Sequence, residues 1–395
     1  MSAEQSTREI LRAMLGDVPL TRGAVERGNA PEQQYVSALA RATLFYPVFQ
    51  DWPTPVHVWL EELERLAALN GDTELTHIAQ VRTAVVKMRL ANFADASEIL
   101  ANVASDAPSN CVHHWLAVTR ARIATRTGKL EDADAFLDEA RRIPVDAEHW
   151  IASLIDLANA ELLLERDEIE DAEEAFLHAL AHLPTELVEE RLQALQSLGF
   201  IYITHADAGN ALKYLGDARG MLRGAGIWPE VIQMNLVLGA LNIPLGNIAA
   251  ATSLLDEALA MAHEHELTQF VGVLKVMLAR AHSATGDSNA AIAATLDAAG
   301  VFAEQGQAVS YMGMITFLSE LFLRRNDFEQ AYETLLTGVS IAKRLRLPKA
   351  ERALRSRIER LRQIVLGPRK FEAMVVGILR RKKAAIERPP GESQT

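Results

Sequence analysis

Small and large apolar residues recur along this chain in two coupled frames. In the first, a large apolar residue, a small one and an aromatic or polar one fall at i, i+1 and i+4, as in Leu198, Gly199 and Tyr202. The second frame starts twelve residues after the small position, where Ala211, Leu215 and Ala218 fall at i, i+4 and i+7. Offsets of three and four share one helix face. Each frame therefore predicts a helix with one apolar face and a small contact point. Forty residues on, Leu238, Gly239 and Asn242 precede Ala251, Leu255 and Ala258 in the same order. Between the frames, Gly128-Lys129, Gly246-Asn247, Gly286-Asp287 and Asn326-Asp327 supply turn chemistry. The predicted unit is an antiparallel helical hairpin.

The same pattern extends along most of the chain. Its anchor alanines are Ala96, Ala133, Ala172, Ala211, Ala251, Ala291 and Ala331, separated by 37, 39, 39, 40, 40 and 40 residues. A fixed period of 20 to 50 residues is the signature of a stacked repeat. Because the spacing inside a unit stays at twelve, the extra residues belong between one unit and the next. Pro108, Pro144 and Pro184 close only the early units. Residues 76–346 thus hold seven repeats, and residues 34–75 hold two helical segments without the frame, which suits an atypical capping pair. Residues 1–33 are expected to form a short helix and a mobile link. Residues 347–386 are expected to form basic capping helices, and residues 387–395 a disordered tail.

This pattern resembles the tetratricopeptide repeat, TPR, whose small, large and aromatic residues recur at these offsets over a unit of about 34 residues. The segment LGFIY…ALKYLGDA carries the resemblance best, while the signature Trp is missing. The longer unit is similar to the TPRs of kinesin light chains and of sensor superhelices of the MalT type. The resemblance implies an all-α, right-handed superhelical solenoid of antiparallel hairpins that binds a protein or peptide in its concave groove.

One stretch, Val231 to Leu255, has 25 residues and no charge, long enough to suggest a membrane span. The repeat frame reads it instead as two helices around a turn at 244–247. Composition agrees with a folded helical chain: 49% hydrophobic, 23% charged, 14 Pro and 22 Gly in 395 residues. Charge is uneven. Residues 347–395 carry a net +8, and the other 346 residues carry −20. An acidic body disfavours wholesale nucleic-acid binding. The basic tail, with Arg380, Arg381, Lys382 and Lys383, is read first as a capping pair and alternatively as a contact with an anionic membrane or nucleic acid. The single cysteine, Cys111, rules out an intramolecular disulfide and is expected to be a buried thiol. With no secretory signal pattern at the N-terminus, a cytoplasmic location is expected.

No constellation points to catalysis, a metal or a cofactor. His178 and His182 stand i, i+4 without a third ligand nearby, so they are read as surface or packing residues. Cys111, His113 and His114 are too close in sequence for triad geometry. No GxxxxGK[ST] or strand-borne GxGxxG occurs. Adjacent acids such as Glu173-Glu174 and Glu189-Glu190 are read as solvated helix faces. The chain is expected to act by binding rather than catalysis.

The resemblance further implies that the first helix of each unit lines the groove. It assigns Arg82, Arg89, Arg122 and Arg126 to the early units, followed by Glu161 and Glu165, then Gln193, Gln196 and Phe200. Leu236, Val237 and Ile243 come next, and Arg280, Glu320 and Arg324 last. The resulting expectation is a partner with acidic and apolar determinants, since Arg forks suit carboxylates. Charge reversal at Arg122 and Arg126 is then expected to abolish capture while leaving the fold intact. The alternative is that these arginines pair with acids of neighbouring helices. A scaffold that assembles a complex and a sensor that changes shape on binding a peptide or small ligand are both compatible with this reading.

Overall fold

The computed structural model describes residues 3–27, 32–45, 56–105, 109–144 and 149–386. The link at 28–31 and the expected disordered tail at 387–395 lie outside these residues. Among the described residues the chain is helical without strands. Three helices come first: α1 (Ala3–Glu26), α2 (Glu32–Phe45) and α3 (Val56–Asn70). Seven hairpins follow. The first four are α4 and α5 (Thr73–Arg89, Phe93–Ser105), α6 and α7 (Asn110–Arg126, Leu130–Arg142), α8 and α9 (His149–Glu165, Ile169–His182), and α10 and α11 (Val188–Thr204, Ala208–Ala225). The last three are α12 and α13 (Trp228–Asn242, Ile248–Glu264), α14 and α15 (Val271–Thr285, Ser288–Glu304), and α16 and α17 (Ala308–Arg324, Phe328–Arg344). The chain ends in α18 (Pro348–Arg360), a π turn at Leu361–Leu366 and α19 (Pro368–Ile386). Two compact units are present, residues 1–234 and 235–395.

The repeat frame is the packing code of the hairpins. All seven anchor alanines are fully buried, as are Leu100, Leu137, Phe176, Leu215, Leu255, Thr295 and Leu335 four residues later. Thr295 keeps its place by donating its hydroxyl to the Ala291 carbonyl at 2.6 Å, so its polar atom is satisfied inside the helix. Against these residues packs the small position of the first helix. A Cβ on Gly199 would stand 2.4 Å from the Leu215 side chain, and one on Gly239 would stand 3.0 Å from Leu255. Glycine there sets how closely the two helices approach.

The turn inside each hairpin is the same object seven times. Five residues before every anchor alanine the backbone is left-handed: Ala91, Gly128, Asp167, Ala206, Gly246, Gly286 and Asn326 have φ between 57° and 80°. This is the usual way to end a helix. At the next position Asp207, Asp287 and Asp327 cap the following helix, accepting from the backbone N–H three residues on. The links between units come in two kinds. In the later ones a second left-handed residue recurs every forty positions, at Gly226, Glu266, Gly306 and Arg346. Earlier, Ile143 and Leu183 are extended, with ψ of 127° and 126°, because each precedes a proline that excludes helical geometry. The change from 39 to 40 residues accompanies this change of link.

The uncharged stretch from Val231 to Leu255 resolves into parts of α12 and α13 around Gly246. No helix among the described residues is long and apolar enough to cross a membrane. α1 has 24 residues rather than a short span, and it packs on α11, two hundred residues downstream. Gly220 and Gly224 permit this, since a Cβ on Gly224 would meet the Glu4 carbonyl at 2.4 Å. At the other end α19 lies on α17, with Phe371 edge-on to Tyr332 and Arg381 paired with Glu329.

Candidate binding faces

Residues 22, 18, 14, 11 and 7 places before each anchor alanine share one face of the first helix. This face differs in character between the two units.

In residues 1–234 much of the face is filled by the chain's own charges. Arg82 and Arg122 are only 2% and 5% exposed. The Arg82 Nε donates to the Thr43 carbonyl at 2.8 Å, and its Nη2 lies 3.6 Å from Glu189. Arg89 pairs with the same carboxylate and donates to the Gln193 amide oxygen at 3.1 Å. Arg122 reaches Glu161 at 3.0 Å and also donates to Gln193, which in turn donates to Glu161. Gln193 therefore joins α4 and α6 to α8. Helices α4 and α10 meet here although Arg82 and Glu189 are 107 residues apart in sequence, so the first-helix face closes on itself.

The electrostatics follow from burial. Desolvation pulls the Arg89 guanidinium down to about 10 despite Glu189. At Arg122 burial also opposes the charge, but Glu161, Glu190 and Glu189 outweigh it and hold the guanidinium above its ordinary value. Glu190 is pushed up by burial and then by the adjacent Glu189 charge. Glu189 and Glu190 are thus interior residues, 4% and 8% exposed, which corrects the reading of this pair as a solvated face. Their partners come from a distant hairpin, which local charge patterning does not reveal; their register, 22 and 21 places before Ala211, is the available signal. Of the four arginines assigned to the early units of the groove, Arg126 alone is exposed, while desolvation beside the cluster still lowers its pKa. Phe200 is also open, at 49% exposure.

In residues 235–395 the same face is lightly charged and open. Val273 and Val309 are 39% and 77% exposed, and Ala240, Arg280 and Gly313 are exposed beside them in the frame. No ion pair holds Arg280 among the described residues. Leu236, Val237 and Ile243 are half-buried, so the large exposed apolar groups of this face come from α14 and α16 rather than α12. Glu320 accepts from Arg357 at 2.6 Å, and Arg324 donates to Ser283 at 2.9 Å. Arg357, from α18, lies outside the frame and was not among the residues assigned from sequence.

The remaining candidates are placed as follows. Cys111 is exposed in the first turn of α6, not buried; it precedes Val112, the first inward residue of that helix. His178 lies 2.8 Å from Asp156 and its ring is 4.4 Å from that of His182. No group of three metal-ligating side chains occurs among the described residues. Arg380 and Lys383 are exposed on α19, and the Lys382 side chain is outside the described set.

No family profile matches the chain, and no curated protein sequence matches it. Solved structures do. The apo form of RapI superposes with a TM-score of 0.61 at 11% identity, over 78% of this chain and 88% of that one. The signal transduction ATPase PH0952 from Pyrococcus horikoshii, a STAND protein with a tetratricopeptide repeat sensor, gives 0.54 at 14% identity over 85% of this chain. The match spans 54% of PH0952. The fold is a TPR-like helical repeat. At these identities the likeness is one of fold alone.

Proposed function

We propose that this chain is a non-catalytic binding protein of the cytoplasm that takes a protein or peptide segment on the first-helix face of residues 235–395. The supporting observation is the contrast between the two faces. One is filled by ion pairs of the chain itself, while the other leaves Val273, Val309 and Arg280 accessible, an apolar strip with a cation of the kind that anchors a segment of another chain. This open face supports the reading of the chain as an assembly scaffold. A second reading, a sensor that changes shape on binding, draws support from the closed charge cluster of α4 to α10. PH0952, which resembles this chain in fold, is named for a tetratricopeptide repeat sensor. Capture from native lysate on immobilised full-length protein tests the proposal. The double variant Val273→Glu and Val309→Glu is expected to lose the captured partner while its circular dichroism stays unchanged. Retention of the same partner by the folded variant would overturn it.

A further inference from the structure

Arg82, Arg89 and Arg122 are held by the chain's own carboxylates and do not offer an accessible basic site beside apolar residues. The combination occurs elsewhere. A cleft of about 310 Å³ opens between α16 and the end of α18. Three guanidiniums, Arg324, Arg357 and Arg360, line it with a single carboxylate, Glu320. Its apolar wall is Leu323, Leu361 and Val365, with Leu361 buried as floor and Val365 45% exposed. Arg357 is held by Glu320, Arg324 by the neutral Ser283 hydroxyl, and Arg360 has no ion pair among the described residues. The cleft therefore carries two positive charges more than its own acids balance.

We propose that this cleft is the anion-accepting end of the partner site and takes a carboxylate carried next to an aliphatic side chain. The proposal rests on the binding reading above and adds the partner's chemistry. The incoming carboxylate displaces Glu320 from Arg357 and is shared with Arg360, since planar guanidinium forks match a carboxylate. The neighbouring aliphatic group covers Val365 and Leu323. Glu320 is then an internal competitor, half-exposed and free to swing into solvent.

The carboxylate can be a chain terminus or an acidic side chain, and the probes separate the two. Full-length protein with labelled Leu and Val methyl groups is titrated with three short peptides. One ends in Leu-Leu with a free carboxylate, one is its C-terminal amide, and one is an amidated Leu-Glu-Leu peptide. Saturable shifts of Leu323, Leu361 and Val365 with either carboxylate peptide, absent with the neutral amide, are expected. Which carboxylate peptide acts identifies the source. Arg360→Gln is expected to weaken binding about tenfold, and Glu320→Gln to strengthen it about two- to fivefold by removing the competitor. A purely structural Glu320–Arg357 pair predicts no gain. Equal shifts with the neutral amide, equal competition by inorganic phosphate, or no gain in Glu320→Gln would overturn the proposal. If the peptides shift Val273 and Val309 but not the cleft, the cleft fails and the binding face stands. If no methyl shifts with any peptide, the cleft proposal is overturned, and the binding face is decided by the capture experiment on Val273→Glu and Val309→Glu.

Discussion

Arg122→Met tests whether the charge cluster of α4 to α10 is a structural interior. The cluster sets Arg82, Arg89 and Arg122 against Glu161, Glu189 and Glu190. Removing Arg122 leaves three carboxylates facing two guanidiniums, and Glu161 loses its partner at 3.0 Å. Breaking a buried pair on one side costs about 3–5 kcal/mol. Replacing both partners with apolar groups, in Arg122→Met with Glu161→Met, restores the balance, and the cost is expected to fall to about 1 kcal/mol, left by Gln193. Urea unfolding followed by circular dichroism measures the cost. Amide exchange in α6, α8 and α10 localises it, because repeat arrays open in parts. A single-variant cost under about 1 kcal/mol, the range of a surface pair, would refute the reasoning; so would a double variant as costly as the sum of the singles. Charge reversal at the two sites therefore has different outcomes: Arg122→Glu is expected to disrupt the first unit, whereas Arg126→Glu, at an exposed position, leaves it folded.

Ala91 and Ala206 hold left-handed backbone without glycine, so Ala206→Gly is expected to stabilise by about 0.5–1 kcal/mol in chemical denaturation, and Gly128→Ala to destabilise by a similar amount. Gly199→Ala places a methyl 2.4 Å from Leu215 and is expected to cost about 1–3 kcal/mol, although alanine is the better helix former. The raised pKa of Glu190 means that its folded form favours the proton, so its contribution is best below the ordinary carboxylate range and is lost as pH rises through the folded value. Glu190→Gln is accordingly expected to stabilise at neutral pH, with the gain vanishing below about pH 4. Gly224→Ala collides with the Glu4 carbonyl and is expected to detach α1, read as faster amide exchange in residues 3–26.

Where the fold was legible, it was legible because the contacts are local. Gly199 meets Leu215, and Ala211 lies inside the same hairpin, so a twelve-residue offset records the packing directly. The turns were equally readable where glycine or asparagine marks them, and less so at Ala91 and Ala206, whose left-handed backbone no side chain advertises. What the sequence concealed are the long-range meetings. Arg89 finds Glu189 a hundred residues away, Glu4 finds Arg223, and Arg357 reaches back to Glu320 from a helix without the repeat frame. Each depends on how many hairpins intervene and how each turns on the last, which single-helix periodicity does not encode. For that reason the groove positions were assigned in register but their availability was not.

The two kinds of link also bear on how this chain can change length. From Gly226 to Arg346 every unit is forty residues and every link has the same left-handed geometry. Excising or duplicating one whole forty-residue block there would join surfaces like those already in contact. The four hairpins of α4 to α11 have no such freedom. Arg82 and Arg89 must arrive opposite Glu189, and α1 must arrive at Gly224; one hairpin more or fewer would carry each partner past the other. Recombination among repeats should therefore leave the first block at four and let only the second vary in number.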